Sequence, residues 1–221
     1  NRGGPQIIPR PTKWHLGEPS PWSHLSNKTL TIEKIKQAVE KYEPVVVQKD
    51  LLEEYTQEAG VLVALYEEQN SLQVILTRRS PHLSSHAHQV SFPGGHQEKV
   101  DKDLWSTALR EAHEETGLDP SLPKKIGELD PIVTVGSGTL IYPFVALLPH
   151  RPELKANSAE VETIRHVDLA ELLKEETWRE EYWEREERSH AVTFFEIPNE
   201  TIWGATANIL RQLLTLGLGI V

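Results

Sequence analysis

Arg110-Glu111-Ala112-His113-Glu114-Glu115-Thr116-Gly117-Leu118 is the stretch on which the fold turns. Just upstream, Leu104, Trp105, Ala108, Leu109 and Ala112 recur at helical spacing. That periodicity predicts a helix from about Asp103 to Thr116, with Gly117 as its stop. On such a helix Glu111 and Glu115 are i,i+4, and Glu111 and Glu114 are i,i+3, so three carboxylates share one sector. Like charges so placed repel by roughly 0.2–0.5 kcal/mol per pair. A helix built for stability alone would mix in Lys. A hard divalent cation, which takes oxygen ligands, resolves the conflict. A merely solvated acidic face is the plainer alternative.

The flanks carry the organisation. Upstream, the apolar runs Gly60–Tyr66 and Leu72–Thr77, separated by a turn at Glu67–Ser71, read as strand–turn–strand. A His- and Ser-rich loop (Ser80–His88) leads to a short strand, Gln89–Phe92, cut off by Pro93-Gly94-Gly95. Downstream, strands are expected at about 126–134, 139–148, 161–167 and 191–197. A short helix at about 168–174 and a last helix at about 200–216 complete that half. Thr31 caps an expected helix running to about Tyr42, with Ile32, Ile35 and Val39 on one face. Before it lies an irregular Pro-rich arm, expected to pack through Trp14 and Trp22. Lys174–Arg188 is a dense charge run with seven Glu, read as a solvated helix or hairpin and an ordinary acidic surface. Strands mixed with a few helices imply an α/β or α+β chain with helices on both sides of a mixed sheet.

Composition narrows the function. The chain has 221 residues, 33 acidic against 23 basic, a net charge of −10 and no Cys. There is thus no disulfide framework, thiolate metal site or Cys nucleophile. The charge argues against nucleic acid or anionic membrane as a partner held by electrostatics. No run of about 18 apolar residues predicts a membrane-spanning helix. Asn1–Trp22 does not have the pattern of a signal peptide. The P-loop pattern G-x-x-x-x-G-K-[ST] is absent.

Arg110–Leu118 resembles the right half of the Nudix hydrolase box, G-x5-E-x7-R-E-U-x-E-E-x-G-U with U aliphatic. A spacing one residue longer puts Gly95 in the Gly slot and Asp101 in the first Glu slot. That variant is similar to the coenzyme A pyrophosphatase branch. Leu76–Gly95 looks like the branch's upstream motif, with Arg79, Ser80, Leu83, His86, Gln89, Val90 and Phe92 to Gly95 in agreement. Ser84 stands where Arg is usual and His88 where Gly is usual. Ile202–Ala207 is similar to the start of the branch's last helix. The likeness spans about 56 to 215.

The resemblance implies a Nudix fold, an α/β/α sandwich with a mixed sheet and the site at the strand–loop–helix from Ser91 to Gly117. It implies an arm and helix over 1–55 and a Nudix hydrolase domain over 56–221. Mg²⁺ or Mn²⁺ would be held by Glu111, Glu114, Glu115 and a backbone carbonyl at Gly94 or Gly95; Gly95 is assigned to metal and Gly94 to substrate. The helix Arg110 would be supported by Asp101 or Glu98. A general base is needed for the attacking water. It could be one of the three helix glutamates, Glu111, Glu114 or Glu115, or a later loop carboxylate. Glu160 is the candidate there and Glu162 the runner-up. Arg79 would contact phosphate, where a planar bidentate donor is effective. His86 would add a hydrogen bond. His86 and His88 lack a third ligand at zinc spacing.

The expected function is metal-dependent hydrolysis of the pyrophosphate bond of coenzyme A or its thioesters, giving 3′,5′-ADP and 4′-phosphopantetheine or its acyl form. Two alternatives stay open. One is a Nudix pyrophosphatase for another nucleoside diphosphate derivative, such as ADP-ribose or a dinucleotide. The other is a Nudix-fold binding or regulatory module without catalysis. The expected partner is a small diphosphate, with no nucleic acid and no membrane; a homodimer is compatible, and the cytoplasm is the expected location.

Overall fold

The computed structural model describes residues 2–47, 57–82, 88–134, 138–185 and 188–220. Strand β2 (Gln57–Glu68) runs through the middle of the larger sheet. Val61, Val63 and Leu65 point to one face and Leu62, Ala64 and Tyr66 to the other, and all are buried. A strand covered on both faces reads as a continuous apolar run rather than an alternating one. Beside β2 lies β8 (Thr139–Leu147), parallel to it over Gln57–Leu65. On its other edge β2 pairs with β3 (Ser71–Arg79) through a two-residue turn. Gln69 and Asn70 both take positive φ in that turn, 51° and 61°. This is the twist-matched hairpin connection.

The β2–β3 pairing stops after Leu65↔Val74, and the two strands splay. Into the gap go β4 (Val90–Ser91), which takes the edge of β3, and β5 (Gly94–His96), which takes the edge of β2. Gly94 and Gly95 are thereby built into the sheet opposite Val61 and Gly60. β6 (Lys124–Glu128) and β7 (Ile132–Val133) line β8, and β9 (Val161–Asp168) covers the outer edge of β3. The expected strand at 126–134 is thus two short strands.

Helices cover both faces. α1 (Ile32–Lys41) and α4 (Gly204–Leu218) pack together over the Val61–Leu65 face. α2 (Leu104–Thr116) lays Ala108 and Ala112 on Leu62, Ala64 and Phe144 of the other. The result is an α/β/α sandwich around a mixed sheet, as expected. α2 begins at the Asp103 cap, which exchanges bonds with Ser106, and ends at Gly117 in the left-handed conformation, φ 69°.

A second sheet has the order β1 (Trp14–Leu16), β10 (Trp178–Arg185), β11 (Arg188–Ile197), β12 (Glu200–Trp203). It corrects three expectations. The charge run is one arm of a hairpin, but it is not an ordinary acidic surface, because Glu180 and Glu181 are buried. Glu181 is neutralised by Arg10, 2.5 Å away, and by Arg179, and it accepts the Trp183 indole N–H at 2.7 Å. The last helix starts at Gly204; Glu200–Trp203 is a strand pairing with Phe194–Ile197. Trp14 is 40% exposed on an edge strand with the Arg10 guanidinium over its ring. Of the two tryptophans it is Trp22 that packs the arm into the core, its indole N–H donating to the Leu173 carbonyl next to α3 (Leu169–Leu172).

Candidate active site

The site is built where β5 meets α2. Leu62 N–H donates to the Pro93 carbonyl at 2.8 Å, which seats the Pro93-Gly94-Gly95 turn on β2. A Cβ on Gly94 would lie 2.4 Å from the Gly60 oxygen and 2.7 Å from the Val61 Cα. Both neighbours are backbone, so they cannot step aside. A Cβ on Gly95 would lie 2.5–2.8 Å from the atoms of the Glu111 carboxyl group. These glycines let sheet backbone and helix carboxylate approach within contact. Gly94→Ala should therefore cost about 2–3 kcal/mol of stability, the upper range for overpacking, read as a lowered urea midpoint.

Gly94 N–H donates to Glu115 Oε2 at 3.1 Å. Glu115 is 5% exposed. Burial pushes its carboxyl up to about 8, against the Gly94 amide; Glu111 and Glu160 add to the rise and Arg79 opposes it. Glu111 is raised by burial too, and by Glu114 and Glu160, while Arg110 opposes the rise. Glu114 is half exposed.

Arg110 sits among these carboxylates. Its Nε and Nη2 reach Asp101 at 2.9 and 3.0 Å, a two-point contact, and its Nη1 reaches Glu111 at 3.0 Å and Glu114 at 3.3 Å. Asp101 also accepts from the Thr107 hydroxyl (3.0 Å) and the Glu98 amide (2.9 Å). Arg110 holds the Asp101 carboxyl well below the usual carboxylate range. Of the two candidates for this support, Asp101 supplies the carboxylate and Glu98 only a backbone N–H.

Among the described residues no three Asp, Glu or His side chains are arranged as a cation cage. Glu111 and Glu114 are turned onto Arg110, and Glu115 onto the Gly94 amide. The donor set nonetheless fits a hard cation. It is all oxygen and clustered on one helix face. It also contains a buried carboxylate that stays protonated near neutral pH unless a cation neutralises it.

Glu160 closes the site from another element. Asn157 N–H donates to the Glu115 carbonyl (2.9 Å), Glu160 N–H to the Asn157 carbonyl (3.0 Å), and Ser80 N–H to the Glu160 carbonyl (2.8 Å). The exposed Glu160 side chain is held close enough for its charge to act on both Glu111 and Glu115. Glu162, by contrast, is taken up by Arg78 at 2.9 Å and His88 at 3.3 Å, and Arg78 holds it below its usual range.

The ladder between β3 and β9 shifts register between Arg78 and Arg79. Arg78 goes to Glu162 and Glu200, whereas the charge of Arg79 acts on Glu115. Among the described residues the buried Nε of Arg79 has no hydrogen-bond partner. Glu111, Glu114, Glu115, Glu160, Arg79, Gly94 and Gly95 are thus brought to one place. His86 and Ser84 lie outside the described residues. No motif marks Glu200, which lies in a strand and not at the start of the last helix, or Gln6.

The NUDIX domain family model matches residues 56–187. The Nudix hydrolase NudL of Photorhabdus laumondii subsp. laumondii is 41% identical over 140 residues, 63% of this chain and 74% of that protein. The chloroplastic Nudix hydrolase 22 of Arabidopsis thaliana is 40% identical over 165 residues, 72% of this chain and 54% of that protein. Among solved structures, the NUDIX domain of Shewanella oneidensis NrtR complexed with ADP ribose is 20% identical with a TM-score of 0.44. That match covers 62% of this chain and 84% of that one.

Proposed function

The chain belongs to the NUDIX domain family of phosphoanhydride hydrolases, and we propose that it cleaves the pyrophosphate bond of coenzyme A or a coenzyme A thioester. The observation that carries this reading is an intact acidic triad on α2 with Arg79 beside it, whose buried Nε has no hydrogen-bond partner among the described residues. Arg79 binds the substrate's phosphate oxygens through its planar fork, with the Gly94 backbone lining the same place. Glu111, Glu114, Glu115 and the Gly95 carbonyl would hold Mg²⁺ or Mn²⁺. When bound, such an ion offsets anionic charge and lowers the pKa of a water. Glu160, exposed and without a cationic partner among the described ion pairs, takes the proton of the attacking water as general base. Glu111 and Glu114 are the alternatives for that step. Water oxygen bonds to one phosphorus, the bridging P–O bond breaks, and 3′,5′-ADP and 4′-phosphopantetheine (or its acyl form) leave. Arg110, braced on Asp101, fixes the rotation of α2 about this point.

A second reading, ADP-ribose or a dinucleotide as substrate, is favoured by Ser84, which stands where the coenzyme A branch has Arg. The test is relative kcat/KM on coenzyme A, 3′-dephospho-coenzyme A and ADP-ribose. A preference for coenzyme A of at least about tenfold over the dephospho form, the worth of one hydrogen bond to a charged group, is expected. Equal values would transfer the assignment to the second reading. Arg79→Ala should raise KM by roughly 10- to 100-fold on whichever diphosphate is used, the scale of one charge-assisted contact.

A further inference from the structure

Behind Arg79 lies a charged cluster that the proposed chemistry does not use. Its centre is Glu200, 1% exposed at the start of β12. The carboxylate accepts from Arg78 Nη1 (2.8 Å), Arg165 Nε (2.7 Å) and Gln6 Nε2 (2.7 Å), and Arg165 Nη2 lies 2.6 Å away as an ion pair. Arg78 and Arg165 lie diagonally on the β3–β9 ladder, where Arg78 faces Thr163 and Leu76 faces Arg165, so both leave the same side of the sheet. With Glu162 also on Arg78, two guanidinium groups face two carboxylates. A buried ion pair is tolerated when its hydrogen bonds are filled, and those of Glu200 are.

Gln6 comes from the far end of the chain and is 8% exposed. Its side-chain nitrogen donates to Glu200 and also to the His88 carbonyl at 2.9 Å. Its side-chain oxygen accepts the Thr201 amide at 2.9 Å. His88 is a strained residue, a non-glycine with φ of 61°. Its amide donates to the Arg79 carbonyl (3.2 Å), and the Arg79 amide donates to the Gln89 carbonyl (2.9 Å). The carbonyl that Gln6 grips therefore belongs to the residue paired with Arg79.

We propose that Gln6, acting through Glu200 and the His88 carbonyl, is a positioning residue that makes the N-terminal arm part of the substrate site. It holds the strand end carrying Arg79 in register against the strained His88 backbone. The inference rests on the reading that Arg79 meets the substrate's phosphates. It assigns the arm a role in substrate affinity, beyond packing.

The test compares Gln6→Ala with Arg2→Ala. Arg2 ties the same arm to Glu171 (2.7 Å), Glu176 (2.9 Å) and Thr177 (2.8 Å), so its loss reports general loosening of the arm. Hydrogen exchange at the Arg79 and His88 amides should quicken at least about tenfold in Gln6→Ala and not in Arg2→Ala. KM for coenzyme A or ADP-ribose should rise roughly fivefold, the worth of one hydrogen bond, with kcat changed by less than about twofold. In an Arg79→Ala background, Gln6→Ala should add nothing further to KM, because the two act as a unit. Unchanged exchange at Arg79 and His88 overturns the proposal. So does an equal KM rise in Arg2→Ala, or full additivity with Arg79→Ala. The exchange measurement needs no substrate. If the wild type hydrolysed neither diphosphate, the substrate reading would fall, while exchange would still decide the anchoring.

Discussion

Glu115→Gln should all but abolish hydrolysis and yet stabilise the metal-free protein at alkaline pH. The first effect follows from removing a buried anionic oxygen from the one place where Glu111, Glu114 and Gly95 converge; roughly 100- to 1,000-fold in kcat is the scale for losing one such electrostatic group. The second follows from burial, which raises the Glu115 carboxyl from the ordinary 4.5 to about 8. Between those two values the folded protein binds a proton that the unfolded chain has released. Stability of the metal-free wild type therefore falls as pH rises through that window. Gln is neutral, fits the same space and still offers an oxygen to the Gly94 amide. The variant's Tm should hold between pH 5 and 8 while that of the wild type declines. Added Mg²⁺ should raise the wild-type Tm at pH 8 and barely move that of the variant. A variant that loses activity but shows the same decline would mean that Glu115 is not the group responsible.

The second large effect is Arg110→Ala. Asp101, its side chain 4% exposed, would lose the two-point contact that holds it ionised, and Glu111 and Glu114 would lose their shared cation. The loss should be about 2–3 kcal/mol, just under the figure for a fully buried pair, because a fifth of the Arg110 side chain is in solvent. The pH dependence has a definite sign. The folded Asp101 carboxyl is depressed, so its contribution is present above the ordinary Asp range and is lost as pH falls below it. Denaturation of wild type and variant should converge in acid and separate near neutrality. Arg110→Lys keeps the charge but not the fork, and should recover only part of the difference.

Both variants address parts of the molecule that are legible in the chain. The helix Leu104–Thr116 combines an apolar stripe, a strong cap at Asp103 and a stop at Gly117, three independent signals that agree. Its acidic sector is visible because helical spacing converts sequence positions directly into one face. The alternatives that sequence left open were matters of distance: whether Asp101 or Glu98 braces Arg110, and whether Glu160 or Glu162 is free to act. β10 was obscured because Glu180 and Glu181 look like surface residues. Glu181 is buried against Arg179 and Trp183 nearby and against Arg10, which lies 171 positions away in the chain. Glu200 was hidden the same way, with Gln6 194 positions distant. β12 runs straight into the Ala- and Leu-rich α4 with no turn residue but Gly204, so local pattern merged the two.

The most direct test is hydrolysis of coenzyme A and ADP-ribose after chelation and after Mg²⁺ is restored. It compares the wild type with a variant carrying Glu111→Gln, Glu114→Gln and Glu115→Gln together. The account predicts that chelation abolishes wild-type turnover, that Mg²⁺ restores it, and that the triple variant stays inactive at every Mg²⁺ concentration while remaining folded. Turnover that survives chelation, or a triple variant that still responds to Mg²⁺, would contradict it.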